Sequence, residues 1–124
     1  MAYQRLTSKG LEQWRVGRII ANGGRCALCS KPIKSPCADH DHATGIMRDA
    51  ICRSCNSGLG QVERAVSRFG IPDIAAFLAG ALRYMQKHSS PQTEYLHPSH
   101  KSEEEKRDAR NKKARLRRAA AKEK

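Results

Sequence analysis

Aromatic residues are scarce in this chain, with two Phe, three Tyr and one Trp in 124 residues. The mean hydropathy of −0.70 leaves little apolar material for a large core. Acidic residues are also few. Asp and Glu number 12 against 24 Lys and Arg, so the formal net charge is +12 and the expected partner is a polyanion, nucleic acid first. Long apolar runs are missing. The longest uncharged stretch in the apolar part of the chain, Ile74 to Leu82, falls far short of the roughly 20 residues of a spanning helix, which excludes an integral helical membrane protein. The opening MAYQRLTSKG has no apolar run followed by a small-residue cleavage site, so a reducing cytoplasm is the expected location. The length suits one ordinary domain and excludes a multidomain machine.

The cysteines offer what the thin core lacks. Five occur, and four form two CxxC pairs, Cys26-Ala-Leu-Cys29 and Cys52-Arg-Ser-Cys55. An odd count without a secretory signal argues against a disulfide framework. Two residues between thiolates allow both sulfurs of a knuckle to reach one ion at about 2.3 Å, and two knuckles close a tetrahedron, so the expected cofactor is a structural zinc. The redox reading of CxxC needs a neighbouring βαβ pattern, which two widely separated pairs do not provide. The 22 residues between Cys29 and Cys52 must fold into something of their own. Cys37 reads as a small hydrophobe.

Residues 11–22 carry Leu11, Trp14 and Ile19 at roughly helical spacing, and Gly23-Gly24 stops them. Between the knuckles, residues 30–36 read as loop, and Thr44-Gly45 is a turn signal for a short β-hairpin. Leu59, Val62, Val66 and Phe69 then predict a helix opening at the second knuckle and ending at Gly70 in a left-handed cap. Pro72 can start the next helix, in which Ile74, Phe77, Leu78, Ala81, Leu82 and Met85 form an apolar stripe expected to bury one face. That stripe fits an intramolecular core or a dimer seam. A polar, proline-broken linker follows, so the sequence predicts a domain over residues 1–100 and a basic tail over 101–124.

The tail holds eleven basic and five acidic residues, half of the net charge. Ser102 with Glu105 has the signature of a capping box, and Glu103 with Arg107 and Asp108 with Lys112 have i,i+4 spacing. Leu116 is its only large apolar residue, so the expectation is a frayed helix or a disordered segment that orders on a phosphate backbone. Lys112, Lys113, Arg115, Arg117 and Arg118 are its candidate nucleic-acid contacts. A merely solvated tail is the plain alternative.

Inside the insert lies Asp39-His40-Asp41-His42, with Arg48 after a turn and Asn56 directly after Cys55. Four sulfurs already satisfy zinc, so these oxygen and nitrogen groups suit a second, harder ion such as Mg²⁺. An open metal on a basic protein suggests phosphodiester chemistry, with a neutral His40 or His42 taking a proton from water. On a regular strand, however, Asp39 and His40 face opposite ways. Strand twist, a bulge or the strand end could bring them around one phosphate.

The succession C-x2-C, DHDH-x2-G-x2-R and C-x2-C-N resembles the recombination endonuclease VII family of phage nucleases, a zinc-stapled branch of the HNH or ββα-metal endonucleases. The resemblance covers Cys26 to Gln61 tightly, and the following helices and Tyr95-Leu96-His97-Pro98 loosely. It implies an α+β, mainly helical fold with a zinc-stapled ββα-metal core and flanking helices. It also implies Mg²⁺ or Mn²⁺ on Asp39 and Asn56, and His40 as the base. His42 matches a second histidine of the motif, and Arg48 matches the arginine of its second strand. Cleavage to a 5′-phosphate and a 3′-hydroxyl, an intertwined homodimer and branched DNA such as Holliday junctions are further implications, as is a phage-infected or prophage-bearing cell. Leu59 and Gly60 occupy the helix turn after Asn56 and offer no further carboxylate. The short tail departs from a family pattern with a separate junction-binding domain, and other phage HNH proteins cut or nick ordinary duplex. A non-catalytic zinc module holding a basic surface on nucleic acid is the competing reading, and a zinc hydrolase using His40 and His42 as ligands is a weaker one. Arg53 joins Arg48 as a candidate phosphate contact. His88, His97 and His100 read as surface residues.

Overall fold

A computed structural model describes residues 2–123. The elements are α1 (Ser8–Ala21), β1 (Pro36–His40), β2 (Met47–Cys52), α2 (Arg53–Arg68), α3 (Ile74–Lys87) and α4 (Glu103–Lys122). The chain is thus α+β and mainly helical, as expected. It divides into two compact units, Met1–Ala81 and Leu82–Lys124, with the division inside α3.

In the first unit α1 starts three residues earlier than its apolar pattern suggests. Thr7 caps it by accepting the Gly10 N–H at 3.0 Å. The predicted Gly23-Gly24 stop is a Schellman ending, in which Gly23 N–H donates to Ile20 and Gly24 N–H to Ile19. Gly70 ends α2 the same way, with φ +69° and with Ile71 N–H reaching back to Val66.

β1 and β2 form an antiparallel hairpin, and helices α1 and α2 both pack against it. Asp41 builds the connecting turn: its carboxylate accepts from the Ala43 and Thr44 N–H groups, and its own N–H donates to Ile46. Pro36, read as loop, is instead the first residue of β1. The register pairs Ala38 with Ala50 but His40 with Met47, so Arg48 and Asp49 together oppose the single Asp39. This is a β-bulge, one of the three ways in which the sequence could reconcile Asp39 with His40.

Among the described residues the buried apolar side chains are Cys26, Ala50, Ile51, Cys52 and Val66, and Asp39 is the one buried charged residue. The core therefore centres on the cysteine cluster, with Cys29, Ile33 and Cys55 partly buried around it. Full burial of an Ile or Val contributes about 1.5–3 kcal/mol, whereas a four-thiolate zinc supplies about 10–16 kcal/mol at neutral pH. With Ile51 and Val66 as the large aliphatics of this core, a bound zinc would dominate its stability.

Two expectations are corrected on the helices that follow. α3 starts at Ile74 rather than at Pro72, and Asp73 caps it, accepting the Ala76 N–H at 3.0 Å. The apolar stripe of α3 is not buried: Phe77, Leu78, Leu82 and Met85 are 44, 40, 59 and 69% exposed. Periodicity identifies an amphipathic face but cannot supply an element of the same chain to cover it.

In the second unit α4 is a continuous helix with both halves of the predicted Ser102–Glu105 capping box, rather than a frayed segment. Its ion pairs are Lys106 to Glu103 and Arg107 to Glu104, at i,i+3, in place of the anticipated i,i+4 pairs. No helix is long and apolar enough to cross a membrane among the described residues.

Candidate metal centre and nuclease site

The first knuckle is shaped by backbone hydrogen bonds. Cys26 N–H donates to Lys31, Ser30 N–H returns to Cys26, and Ser30 takes φ +62° to close the turn. The Leu28, Cys29 and Cys52 N–H groups all point at the Cys26 sulfur, at 3.4, 3.5 and 3.3 Å. Lys34 N–H does the same for Cys52. Cys52 is at once the last residue of β2 and the N-cap of α2, so the second knuckle joins the strand to the helix.

All four sulfurs lie within 4.8 Å of one another. A tetrahedron of 2.3 Å bonds requires sulfurs about 3.8 Å apart, so four sulfurs this close can draw in by up to about 1 Å to bind a zinc ion. Burial opposes ionisation of Cys26, but the three N–H donors outweigh it and bring the thiol down to about 6. Burial and the neighbouring Cys29 and Cys26 push Cys55 up to about 12. Without a cation the cluster cannot ionise throughout, and a bound Zn²⁺ relieves that conflict. Cys37 stands outside the group, half-buried, with its thiol 3.8 Å from the Ser35 carbonyl. Neither His40 nor His42 belongs to it.

Asp39, His40, His42 and Arg48 gather at the far end of the hairpin, whereas Arg53 and Asn56 lie at the start of α2, beside its knuckle end. His40 closes β1 and is exposed, and its ring stands edge-on to His42 with centroids 4.8 Å apart. Asp39, one residue before, is only 6% exposed. Both of its oxygens accept from Arg48, Oδ2 from Nε at 2.7 Å and Oδ1 from Nη2 at 3.1 Å. The same Nη2 donates to Glu63 on α2 at 2.9 Å. Bonding to Asp39 and Glu63 together holds the Arg48 guanidinium above its ordinary pKa.

Arg48 thus lies against two carboxylates, which leaves its Nη1 hydrogens for any phosphate. Glu63 was missed by sequence reasoning. It stands two helical turns after Asn56, beyond the single turn that Leu59 and Gly60 occupy, and its partner lies across the fold. Asn56 lines a cavity of about 560 Å³ with Arg53, Pro36, Cys37, Ala38 and part of α1. Asp39 is not among the residues lining that cavity. Carboxylate and side-chain amide oxygens such as those of Asp39 and Asn56 are the donor type that Mg²⁺ or Mn²⁺ takes, completed by water and phosphate. Arg48 occupies only two of about four acceptor positions on Asp39, so the carboxylate keeps capacity for a cation.

On the opposite side of the bulge, Asp49 accepts from Arg18 Nε and Nη2 at 3.0 and 2.9 Å, and from Asn22 at 2.9 Å. The Arg18 bonds, aided by the Ala50 N–H and Asn22, hold its carboxyl well below the usual carboxylate range.

In the second unit, Arg110, Lys113, Arg117 and Arg118 line one recess along α4. Of the predicted tail contacts this gathers Lys113, Arg117 and Arg118, adds Arg110, and leaves Lys112 and Arg115 outside. His88, His97 and His100 are exposed, as expected.

A family model described as recombination endonuclease VII matches residues 6–87, well over half of the chain. The match runs from the residue before the cap of α1 through the last residue of α3 and stops short of the Tyr95–Pro98 stretch and α4. The Gene 59 protein of Mycobacterium phage L5 is 40% identical over 50 residues, which cover 38% of this chain and 29% of that protein. The chain therefore matches less than a third of that relative's length.

Proposed function

Since the chain belongs to the recombination endonuclease VII family, we propose that it is a metal-dependent DNA endonuclease that hydrolyses phosphodiester bonds to a 5′-phosphate and a 3′-hydroxyl. The observation that carries this reading is the bulged hairpin end, where a buried Asp39 and an exposed His40 beside His42 are adjacent in sequence but differ in environment. His40 accepts the proton of the attacking water, and a neutral imidazole suits that task near pH 7. Asp39 and Asn56 hold Mg²⁺ or Mn²⁺, which when bound supplies charge stabilisation at the phosphate. Arg53 and the free Nη1 of Arg48 face the DNA backbone.

The zinc core is structural, and residues 1–100 carry the chemistry. The exposed apolar face of α3, a helix that the family match includes, is assigned to a second copy of this chain, the seam that an intertwined dimer would bury. Two such sites on one dimer suit a branched substrate such as a Holliday junction. The basic tail, through Lys112, Lys113, Arg115, Arg117 and Arg118, adds affinity for the phosphate backbone.

The test is Mg²⁺-dependent cleavage of a labelled four-way junction beside a linear duplex of the same sequence, with wild type and His40→Ala in parallel. Junction-selective cutting that His40→Ala abolishes is the expected result. Equal cutting of both substrates would retain the nuclease and remove the branch preference. Tight binding without cutting in Mg²⁺ or Mn²⁺ would leave a non-catalytic zinc module.

A further inference from the structure

Asp39 and Glu63 share one guanidinium, that of Arg48, through three bonds of 2.7, 3.1 and 2.9 Å. The two carboxylates differ in setting. The Asp39 side chain is 8% exposed and the Glu63 side chain 24%, with Arg48 between them at 36%. Arg48 sits on the bulge of β2, where the regular ladder that would fix its backbone is interrupted. Held at the Asp39 end alone, a long and partly solvated side chain on a bulge keeps considerable rotamer freedom. Glu63 supplies the second anchor from α2, a helix whose start is fixed by the Cys52 knuckle.

The guanidinium plane occupies one acceptor position on each Asp39 oxygen, so its orientation sets where the remaining positions point. We infer that Glu63 is a positioning residue for Asp39: through Arg48 it fixes the direction in which that carboxylate meets a divalent cation. The inference rests on the proposed role of Asp39 as a metal ligand. It assigns α2 two separate contributions to the site, Asn56 as a ligand near its start and Glu63 as an anchor two turns later. Groups that orient a metal ligand from behind typically change metal affinity about 10–100-fold when removed.

The experiment is a calorimetric titration of the zinc-loaded full chain with Mn²⁺, without DNA, using Asp39→Asn to define background uptake. Zinc content and melting temperature are checked for each variant. Glu63→Ala is expected to weaken Mn²⁺ binding about 10-fold. Glu63→Gln, which keeps an acceptor oxygen for Arg48, should recover most of the loss. Arg48→Ala should weaken binding at least as much, and adding Glu63→Ala to it should cost nothing further.

Wild-type affinity in Glu63→Ala overturns the inference alone. So does a further loss in the double variant, because Glu63 would then act directly, and so does tighter binding in Arg48→Ala, because Arg48 would then be a plug. Wild type that takes up no more Mn²⁺ than Asp39→Asn overturns the inference together with the ligand role of Asp39.

Discussion

Arg48 and Asp49 are consecutive residues on one bulge, and each takes part in a bidentate arginine–carboxylate pair, yet the two pairs do different work. Asp49 faces α1, where Arg18 and Asn22 clamp it. Arg48 faces the partner strand and α2, where its carboxylate lies beside His40 and its second anchor is Glu63. The first pair fastens a helix to the hairpin. The second, on the proposed reading, fixes the direction of the carboxylate that meets the catalytic ion. The same interaction is structural or functional according to what stands next to it, and a bulge that separates two adjacent side chains is enough to make the difference.

The contrast breaks altogether if the core is removed. Cys52→Ser takes one ligand from the zinc and should abolish cooperative folding, since binding free energy of a structural zinc is folding free energy. Loss of the thermal transition together with loss of bound zinc checks this, and a folded, zinc-loaded variant would contradict the four-cysteine site. Both ion-pair networks should disappear with it.

Asp49→Asn sharpens the contrast by touching one side only. It should lower the melting temperature by about 4–8 °C while leaving Mg²⁺-dependent cleavage at 20 °C within about twofold. Its sign with pH is fixed. The folded carboxyl lies below the unfolded value of about 3.9, so its contribution is fully present above pH 4 and fades as pH falls further. The gap between wild type and Asp49→Asn in urea melts of the zinc-loaded chain should therefore be the same at pH 6 as at pH 8.

The smallest effect concerns basic residues that no carboxylate engages among the described residues. No ion pair engages Arg110, Lys113, Arg117 or Arg118 among the described residues, in contrast to Lys106 and Arg107 one turn earlier. Arg110→Ala with Lys113→Ala should reduce the slope of log K against log salt for DNA binding by about 2, and Lys112→Ala with Arg115→Ala by less. Equal reductions would mean that the tail acts through net charge alone.

What the sequence made legible was local. The CxxC knuckles, the Gly23-Gly24 and Gly70 helix endings, the Thr44-Gly45 turn and the Ser102–Glu105 box each depend on residues a few positions apart, and each is realised. What it hid was distant in the chain. The Arg18–Asp49 and Arg48–Glu63 pairs join residues 31 and 15 positions apart, and no periodicity marks a single long-range partner. The DHDH motif signalled a site but not that its two aspartates diverge, Asp39 buried against an arginine and Asp41 used to build the turn. The stripe on α3 signalled burial, and the fold of one chain leaves that burial unmet.

Cys52 ends a strand, begins a helix and contributes a sulfur, and that coincidence bears on how the gene can vary. Inserting one residue between Cys55 and Asn56 would turn Asn56 by about 100° around the helix and move it 1.5 Å along the axis, and would carry Glu63 with it. The same insertion in the turn after His42 would lengthen an exposed loop at little cost. Length variation among chains of this kind should therefore accumulate at the tip of the hairpin and be excluded from the stretch between the second knuckle and Glu63.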